Sequence, residues 1–266
     1  MVHLPDMETD PILIHHQKDL GINFDVFEKD NLRWLSFGDG CIQSIIDLED
    51  PGSLHSPVYR AMLAVLFFTP TPERVLLLGT GGGALARYFH HRQTAIHGDA
   101  VEISSVIAEI ARQFFEFPSQ GQGWRTVISD AQEYIYQSKQ RYDLIFLDIA
   151  EKESSPTWMF ETDFLERCRE RLGDDGALVL NIIPKDAEVF SKALWNIRQA
   201  FDLYTVCISV PEHKNILVFA FNGSPQYSDI SMLDQRVPTL IQQWGLEFDQ
   251  FLIRMKEINP RGSGIF

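Results

Sequence analysis

The sequence predicts an α/β protein in which a small antiparallel β module precedes a mostly parallel sheet with helices on both faces. Three patterns indicate this fold. Between residues 74 and 201, short apolar runs alternate regularly with segments of helical periodicity, which is the pattern of successive βα units. Residues 22–48 instead carry short β-type runs separated by turns. Residues 211–215 alone join the last two predicted strands, and so short a connection requires an antiparallel hairpin.

The first strand of the main sheet, residues 75–78, leads directly into a glycine-rich turn. Gly79, Gly81 and Gly83 allow the backbone to bend tightly and to approach a ligand, and a helical pattern follows them. A strand, a glycine turn and a helix N-terminus together present free amide hydrogens and a positive dipole end. Glu102 ends the next strand, where a carboxylate can accept both hydroxyls of a ribose. We therefore predict a nucleoside-containing cofactor at this edge.

The order of the elements distinguishes a dinucleotide cofactor such as NAD from the nucleoside cofactor of a methyltransferase-like sheet. Gly79-x-Gly81-x-x-Ala84 also satisfies the dinucleotide fingerprint, which leaves an NAD-dependent dehydrogenase as an alternative. Five βα units followed by an antiparallel pair, however, do not form two matching dinucleotide-binding halves. The pattern is typical of a class I methyltransferase-like Rossmann sheet, which is mostly parallel with an antiparallel last hairpin. The predicted strands of this sheet are 75–78, 95–103, 125–129, 142–147, 177–183, 204–210 and 216–221.

The helices between these strands are predicted from capping residues and apolar spacing. Ser104 and Asp130 each stand before a helical pattern and are suitable N-caps. A further helix face is predicted to end at Leu172, followed by a turn at residues 173–176. Residues 189–201 carry another apolar stripe at helical spacing. The sheet is therefore predicted to have helical connections on both faces.

The chain divides into three predicted parts. Residues 1–69 contain the β module and a linking helix, residues 70–222 the Rossmann-like domain, and residues 223–266 a tail of one or two helices. The boundary lies at residues 69–72, Thr-Pro-Thr-Pro, because two prolines end the preceding helical pattern.

The β module is predicted from turn chemistry and short apolar runs. Residues 1–20 are polar and predicted to be irregular, with His15 and His16 on the surface. Asp39-Gly40 stands between two apolar runs and predicts a hairpin turn. The expected elements are strands at 23–27, 32–37 and 41–48 and a helical segment at 58–68.

Composition limits the classes of partner. The chain of 266 residues has 23 basic and 37 acidic side chains, a net charge of −14 and a pI near 4.9, which disfavours nucleic acid. Cys41, Cys168 and Cys207 form no disulfide framework or metal-ligand spacing, so we expect free thiols in a reducing cytoplasm. No signal peptide or membrane-spanning run is visible. We therefore expect a cytoplasmic enzyme with a small-molecule partner.

Acidic residues follow several strands of the predicted sheet at the edge where such folds bind ligands. They are Glu102, Asp130, Asp148 and Glu151. Asp130 with Glu133 also fits a helix cap, and a carboxylate can cap with one oxygen while the other binds an adenine amine. Asp148 is either an ordinary turn residue or a functional group, because a carboxylate directly after a buried strand is costly.

The ordered set of these motifs resembles the spermidine synthase family. The likeness covers residues 35 to 222, and the ordered set is more specific than any one motif. It consists of Gly79-Thr-Gly-Gly-Gly83, Val101-Glu-Ile103, Ser129-Asp-Ala131, Tyr142-Asp-Leu-Ile-Phe-Leu-Asp148 and Asp39-Gly-Cys-Ile-Gln43. The resemblance implies a β module on a methyltransferase-like domain, dimers or tetramers, and transfer of an aminopropyl group from decarboxylated S-adenosylmethionine to a polyamine. We accordingly expect a homodimer.

The resemblance also implies roles for individual residues. Asp148 would be the catalytic carboxylate, with Glu151 at the position of a second catalytic-loop acid. The donor would be held at the ribose, the adenine and the amino-acid-derived tail, in that order, by Glu102, by Asp130 with Ala131, and by Gln43 with Tyr59. The glycine loop would support the donor from below, and the reaction requires no metal.

The departures from the family pattern concern the donor tail and the acceptor. Gly82 stands where the family usually has an Asp that holds the donor's amine, and Glu151 replaces an Asp. The His and Glu that normally follow the tyrosine are Arg60 and Ala61. Arg60 either pairs with the carboxylate of intact S-adenosylmethionine or is a surface arginine. The chain is therefore expected to be a divergent member whose acceptor is open.

Three functional hypotheses follow from these observations. The first is a spermidine synthase-like transferase that binds S-adenosylmethionine or its decarboxylated form and alkylates an amine. The second is a small-molecule methyltransferase with the same fold and intact S-adenosylmethionine. The third is a catalytically silent protein that retains nucleoside binding. The donor tail separates the first two, and turnover of an amine separates both from the third.

Overall fold

The computed structural model describes residues 10–19, 21–38, 41–151, 154–260 and 262–265, and the Asp39-Gly40 turn lies outside these ranges. The described residues form two sheets, one of four antiparallel strands and one of seven mostly parallel strands. The α/β fold predicted from the sequence is confirmed, including the separate N-terminal β module. No helix among the described residues has both the length and the apolar character needed to cross a membrane.

The N-terminal sheet has the strand order β1-β2-β3-β4, and each strand pairs antiparallel with the next. Its inner face packs on helix α3 (Ser105–Phe114) of the main domain through Phe24, Val26, Leu35 and Ile46. This contact places the module beside the glycine loop. The strands are β1 (Ile12–Asp19), β2 (Ile22–Lys29), β3 (Leu32–Ser36) and β4 (Ile42–Asp47).

Strand β1 corrects the prediction that residues 1–20 are irregular. The strand is an edge strand whose residues are mostly exposed on both faces, so its sequence lacks the alternation that marks a half-buried strand. The backbone pairing to β2 forms it instead. His16 is exposed as predicted and forms an ion pair with Asp25 at 2.6 Å. His15 was predicted on the surface, but it is half-buried because its ring lies 4.9 Å from that of Phe114.

The main sheet has the strand order β10-β11-β9-β8-β5-β6-β7. The pairs among β5 to β9 are parallel, and β10 and β11 form the predicted antiparallel hairpin. The carboxyl ends of β5, β6, β7, β8 and β9 therefore lie along one edge. The strands are β5 (Arg74–Leu78), β6 (His97–Glu102), β7 (Trp124–Ile128), β8 (Tyr142–Leu147), β9 (Leu172–Ile182), β10 (Thr205–Ser209) and β11 (Ile216–Phe221).

Helices cover both faces of the main sheet. Val75 and Leu77 of β5 belong to one apolar cluster while Leu76 and Leu78 belong to the other, as expected for a strand buried on both faces. Two helices follow β11, within the predicted range of one or two. The helices besides α3 are α1 (Pro57–Met62), α2 (Ala84–Arg92), α4 (Ala131–Gln137), α5 (Thr162–Glu170), α6 (Ala187–Ala200), α7 (Ile230–Trp244) and α8 (Phe248–Ile258).

The junction between α5 and β9 differs from the prediction. Leu172 was predicted to end a helix face, but α5 ends at Glu170 and Leu172 is the first residue of β9, paired with Tyr142. The predicted turn at residues 173–176 is a bulge inside β9, since the next pair joins Leu144 to Ala177. An apolar residue at helical spacing was misassigned because the strand begins before the bulge.

Candidate active site

The glycine loop between β5 and α2 has tight contacts on two sides and open space at its centre. Gly79 has φ of 84°, and a Cβ there would lie 2.2 Å from the backbone oxygen of Asp148. Gly83 has φ of 77°, and a Cβ there would lie 2.3 Å from the Phe117 ring. Gly81 also has a positive φ, 51°, but no atom lies within 4 Å of its Cβ position. The loop is thus held at both ends and leaves its middle residue open to a ligand.

Glu102 ends β6 and supports this loop from beneath. Its side chain is only 6% exposed. One carboxylate oxygen accepts the backbone N–H of Thr80 at 3.1 Å and of Gly81 at 3.4 Å, and the other accepts that of Ser104 at 3.1 Å. Burial raises the pKa of Glu102, and these backbone hydrogen bonds counteract the rise. Thr80 and Gly81 use both acceptor sites of Oε2, so a ligand hydroxyl would bind at Oε1.

Asp130 caps α4 at the end of the neighbouring strand β7. Its Oδ1 accepts the backbone N–H of Gln132 at 2.8 Å and of Glu133 at 3.1 Å. Both capping bonds use the same oxygen, and Oδ2 accepts no hydrogen bond from the described residues. Ala131 is the first residue of α4 and is buried. The arrangement leaves one oxygen of Asp130 available to a donor group such as an adenine amine.

Two exposed apolar residues at this edge were missed in the sequence. Ile103 follows Glu102 and is 70% exposed, and Ile128 ends β7 and is 52% exposed. Their strand ends are joined by the hydrogen bond from the Ser129 N–H to the Glu102 carbonyl at 3.1 Å. Exposed isoleucines beside two carboxylates form a suitable apolar surface for a flat base. No sequence signal marked them, because single exposed apolar residues are ordinary at a protein surface.

Asp148 follows β8 and lies beside the glycine loop. Its backbone N–H donates to the Leu78 carbonyl at 2.9 Å, and its carboxylate accepts the Nδ2–H of Asn181 at 2.7 Å. Burial raises the pKa of Asp148, while the Asn181 amide and the Tyr59 hydroxyl act in the opposite direction. The carboxylate is thus partly withdrawn from water but held by donors, which suits a group that must accept a proton near neutral pH.

Tyr59 lies on α1, whose N-terminus is capped by Ser56. Its half-buried hydroxyl faces the Asp148 carboxylate and acts as a donor to it. Burial raises the pKa of Tyr59 well above its usual range, and the charges of Asp148 and Glu102 raise it further. Tyr59 therefore stays protonated and lies within electrostatic reach of both Asp148 and Glu102.

Asn181 was missed as a site residue although it stands alone in an apolar run. It is the penultimate residue of β9 and is buried. Its Nδ2 donates to Asp148, and its Oδ1 accepts the Nδ2–H of Asn215 at 2.8 Å. A polar residue among Ala177 to Ile182 was the available sequence signal, because a buried amide requires partners.

Two candidate residues from the sequence are exposed at the margins of the site. Glu151 lies on the loop after β8, where its backbone pairs with Ser154. Gln43 is the extra residue of a β-bulge in β4, since Ser44 pairs with Leu35 and Ile42 with Ser36. A bulge changes the direction of a side chain and is common next to active sites. Among the described residues, no hydrogen bond joins either side chain to Asp148.

The departures at Gly82 and Arg60 have direct structural explanations. A Cβ at Gly82 would lie 2.4 Å from the Ser44 hydroxyl, so the glycine lets the β module approach the loop. The Arg60 Nε donates to the two carboxylate oxygens of Glu247 at 3.0 and 3.1 Å. Arg60 also donates to the Leu54 carbonyl at 3.2 Å. It is therefore a half-buried ion-pair residue rather than a free surface arginine, and its charge is balanced within the chain.

Arg87 on α2 is a further residue that sequence reasoning missed. Its guanidinium is fully buried and donates to the carbonyls of Pro51 at 2.6 Å, Phe115 at 2.7 Å, Ile45 at 3.2 Å and Gly82 at 3.4 Å. Burial lowers the pKa of Arg87 to about 10. These bonds join the β module to the glycine loop, so the side chain fixes the wall of the site.

The geometry of this edge agrees with the comparisons of the chain with known proteins. The model of the spermine/spermidine synthase domain matches residues 57–230, which is more than half of the chain. The chain belongs to the spermine/spermidine synthase family. Among its relatives in this family, the polyamine aminopropyltransferase of Chromobacterium violaceum is 30% identical over 242 residues, 90% of this chain and 92% of that protein. The chain is therefore a transferase of the spermidine synthase type.

Solved structures of both spermidine synthases and methyltransferases have folds similar to that of this chain. A probable spermidine synthase from Corynebacterium glutamicum has a TM-score of 0.74 at 19% identity, covering 87% of this chain and 88% of that chain. Human methyltransferase-like protein 13 in complex with SAH has a TM-score of 0.64 at 23% identity, covering 78% of this chain and 97% of that chain. The chain thus shares its fold with a probable spermidine synthase and with a methyltransferase.

Proposed function

We propose that this member of the spermidine synthase family transfers an aminopropyl group from decarboxylated S-adenosylmethionine to an amine of the polyamine class. The observation that carries the proposal is the Asp148 carboxylate, held by Asn181 and Tyr59 directly beside the glycine loop. The donor's sulfonium would lie above Gly81, with its ribose on Glu102 and its adenine on Asp130. This arrangement would leave the reacting carbon next to Asp148.

The chemistry requires alignment more than activation of the donor. The unprotonated acceptor nitrogen attacks the methylene carbon beside the sulfonium, and the C–S bond breaks as the C–N bond forms. The bonding pair leaves with the sulfur as a neutral thioether, and the proton released by the amine passes to Asp148. A fixed geometry supplies much of the rate, and a nearby carboxylate stabilises the positive charge that develops on the nitrogen.

The donor would be held jointly by two of the predicted parts of the chain. Residues 70–222 would supply the nucleoside contacts, and residues 1–69 would supply Tyr59 and Gln43 at the donor tail. The buried Arg87 guanidinium donates to Pro51 and Ile45 in the first part and to Phe115 in the second, so it holds the two parts together. The proposal includes a homodimer, which the family resemblance implies, and a cytoplasmic location, which the free cysteines indicate. Light scattering of the purified protein tests the dimer.

A second candidate function is methyl transfer from intact S-adenosylmethionine to a small amine. The absence of a side chain at Gly82 favours it, because no carboxylate there selects a donor tail that carries only an amine. The similarity to a methyltransferase structure in complex with SAH also supports it at the level of the fold. In this alternative Asp148 would accept the same proton.

Calorimetric titration with decarboxylated S-adenosylmethionine, intact S-adenosylmethionine and methylthioadenosine tests the proposal. We expect the decarboxylated donor and methylthioadenosine to bind, and the donor to be consumed when a diamine or triamine is added. Tighter binding of the intact donor with release of S-adenosylhomocysteine would select the methyltransferase instead. Binding without turnover of any amine would overturn both activities.

A further inference from the structure

Three side chains at the ends of separate strands form a hydrogen-bonded row that ends at Asp148. Asn215 directly precedes β11 in the hairpin between β10 and β11. Its Nδ2 donates to the Asn181 Oδ1 at 2.8 Å, and the Asn181 Nδ2 donates to the Asp148 carboxylate at 2.7 Å. Asn181 is buried, and its backbone lies in register with Leu217 of β11. The hairpin is thereby connected to the catalytic edge through one amide.

The row has only one consistent direction when Asp148 is ionised. A carboxylate has no proton to donate, so Asn181 must present its NH₂ group to Asp148. The Asn181 oxygen then faces away, toward the hairpin, where Asn215 donates to it. If Asn215 could not donate, the Asn181 side-chain amide could rotate by half a turn and exchange the positions of its oxygen and nitrogen. Its oxygen would then face Asp148 and accept a hydrogen bond from the protonated acid, which would favour the neutral form.

We propose that Asn215 is a positioning residue that holds the Asn181 amide in the orientation that donates to Asp148 and so keeps this carboxylate ready to accept a proton. Asn215 does not touch the reacting atoms, and it acts only through Asn181. The inference rests on the proposed role of Asp148 in amine alkylation. It adds a residue from the last hairpin, whose backbone lies beyond the parallel part of the sheet.

Among the described residues, Tyr59 is the ionisable side chain that acts directly on Asp148. Tyr59 faces it from α1, and Glu102 on β6 and Arg87 on α2 act on Tyr59. The neighbouring strand β9 contributes the uncharged Asn181. In the hairpin the His213 Nδ1 lies 2.8 Å from the Pro211 carbonyl and is occupied there. The ionisation of Asp148 is therefore governed by burial and by the donors Asn181 and Tyr59, so the orientation of the Asn181 amide has a measurable effect.

The test compares Asn215→Leu with wild type across a range of pH. Leucine has the branched shape of asparagine but no donor, so the acid side of the activity profile is expected to move to higher pH. Below the wild-type midpoint, activity should fall roughly tenfold, the scale of one hydrogen bond to a charged group, while the high-pH plateau stays close to wild type. Asn215→Gln retains a donor amide and is expected to recover most of the acid-side activity.

Lys214→Ala is the matched control, because Lys214 is exposed and adjacent in the same hairpin. Its profile should equal that of wild type. A uniform loss of activity at every pH in Asn215→Leu would indicate a merely structural role and overturn the inference, as would an unchanged profile. Carboxyl ¹³C NMR of the protein labelled at aspartate gives a readout that needs no turnover, with the Asp148 signal assigned from Asp148→Asn. A shift of that titration to higher pH in Asn215→Leu supports the inference even if the proposed function fails.

Discussion

Glu102 ends β6 and Asp148 follows β8, on either side of β5 at the same edge of the sheet. Their carboxylates are nevertheless held in different ways. Burial raises the pKa of both carboxyl groups. The carboxylate of Glu102 accepts three backbone N–H groups, from Thr80, Gly81 and Ser104. The carboxylate of Asp148 is held by two side chains, Asn181 and Tyr59. The Glu102 carboxylate is therefore bound to the backbone of the glycine loop. The Asp148 carboxylate depends on side chains that a single substitution can remove.

This difference indicates different tasks for the two groups. Backbone amides cannot rotate away or lose a proton, so Glu102 keeps a fixed position and fixed acceptors for ligand hydroxyls. Side-chain donors can be exchanged, so the proton affinity of Asp148 is set by residues whose substitution leaves the backbone unchanged. The comparison predicts that substitutions around Glu102 change binding, while substitutions around Asp148 change turnover and its pH dependence.

Replacement of Asp148, the proposed catalytic carboxylate, should give the largest effect. Asp148→Asn keeps the shape of the side chain but removes the proton acceptor, so turnover should fall roughly a hundredfold or more, the usual scale for a lost acid–base group. Affinity for methylthioadenosine should stay close to wild type. Steady-state kinetics and calorimetry on the same preparation measure the two quantities. Unchanged turnover would remove Asp148 from the mechanism.

Replacement of Glu102 should act on affinity rather than on the chemical step. Glu102→Ala removes the ribose acceptor and leaves the amides of Thr80 and Gly81 without their partner, so nucleoside binding should weaken by roughly ten- to a hundredfold. Calorimetric titration with methylthioadenosine measures this loss. Glu102→Gln retains one oxygen acceptor and should lie between alanine and wild type. Equal affinity in all three proteins would contradict the assignment of the ribose to Glu102.

Tyr59 tests the side-chain control of Asp148 with a smaller expected effect. Its hydroxyl lowers the pKa of Asp148, so Tyr59→Phe should raise that pKa and move the loss of the ionised form to higher pH. Activity should therefore fall several-fold on the acid side, on the scale of one lost hydrogen bond, and little on the plateau. A pH profile of kcat measures the change. Tyr136→Phe, on the exposed side of α4, is the control and should leave the profile unaltered.

The parallel part of the sheet and the position of Glu102 at the end of β6 could be predicted because their signals are local. Strand β5 is a continuous apolar run followed at once by glycines, and Glu102 stands at a fixed distance along the chain from them. Strand β1 could not be predicted, because its exposed faces carry no alternating pattern and only the pairing with β2 forms it.

The side chains that tune Asp148 were missed for a related reason. Asn181 is 33 residues from Asp148 along the chain, and Asn215 is a further 34 residues on. No spacing in one sequence connects them, because strand order in the folded sheet brings them together. Arg87 was missed likewise, since its acceptors are backbone carbonyls that any residue provides. Positions set by local spacing were predictable, and contacts between distant parts of the chain required the structure.

Arg60 gives the smallest expected effect and tests whether the donor tail meets a cation. Its guanidinium is paired with the Glu247 carboxylate, so it is not available to bind a carboxylate of the donor. Arg60→Ala should leave the ratio of affinities for intact and decarboxylated S-adenosylmethionine unchanged and lower the free energy of unfolding by about 1 kcal/mol or less, because the pair is partly exposed. Calorimetry and thermal denaturation measure these quantities, with Glu247→Gln as the matched variant on the other side of the pair. A selective loss of affinity for the intact donor in Arg60→Ala alone would show that the arginine reaches the donor tail when ligand is bound, and the site would then be built for a carboxylate.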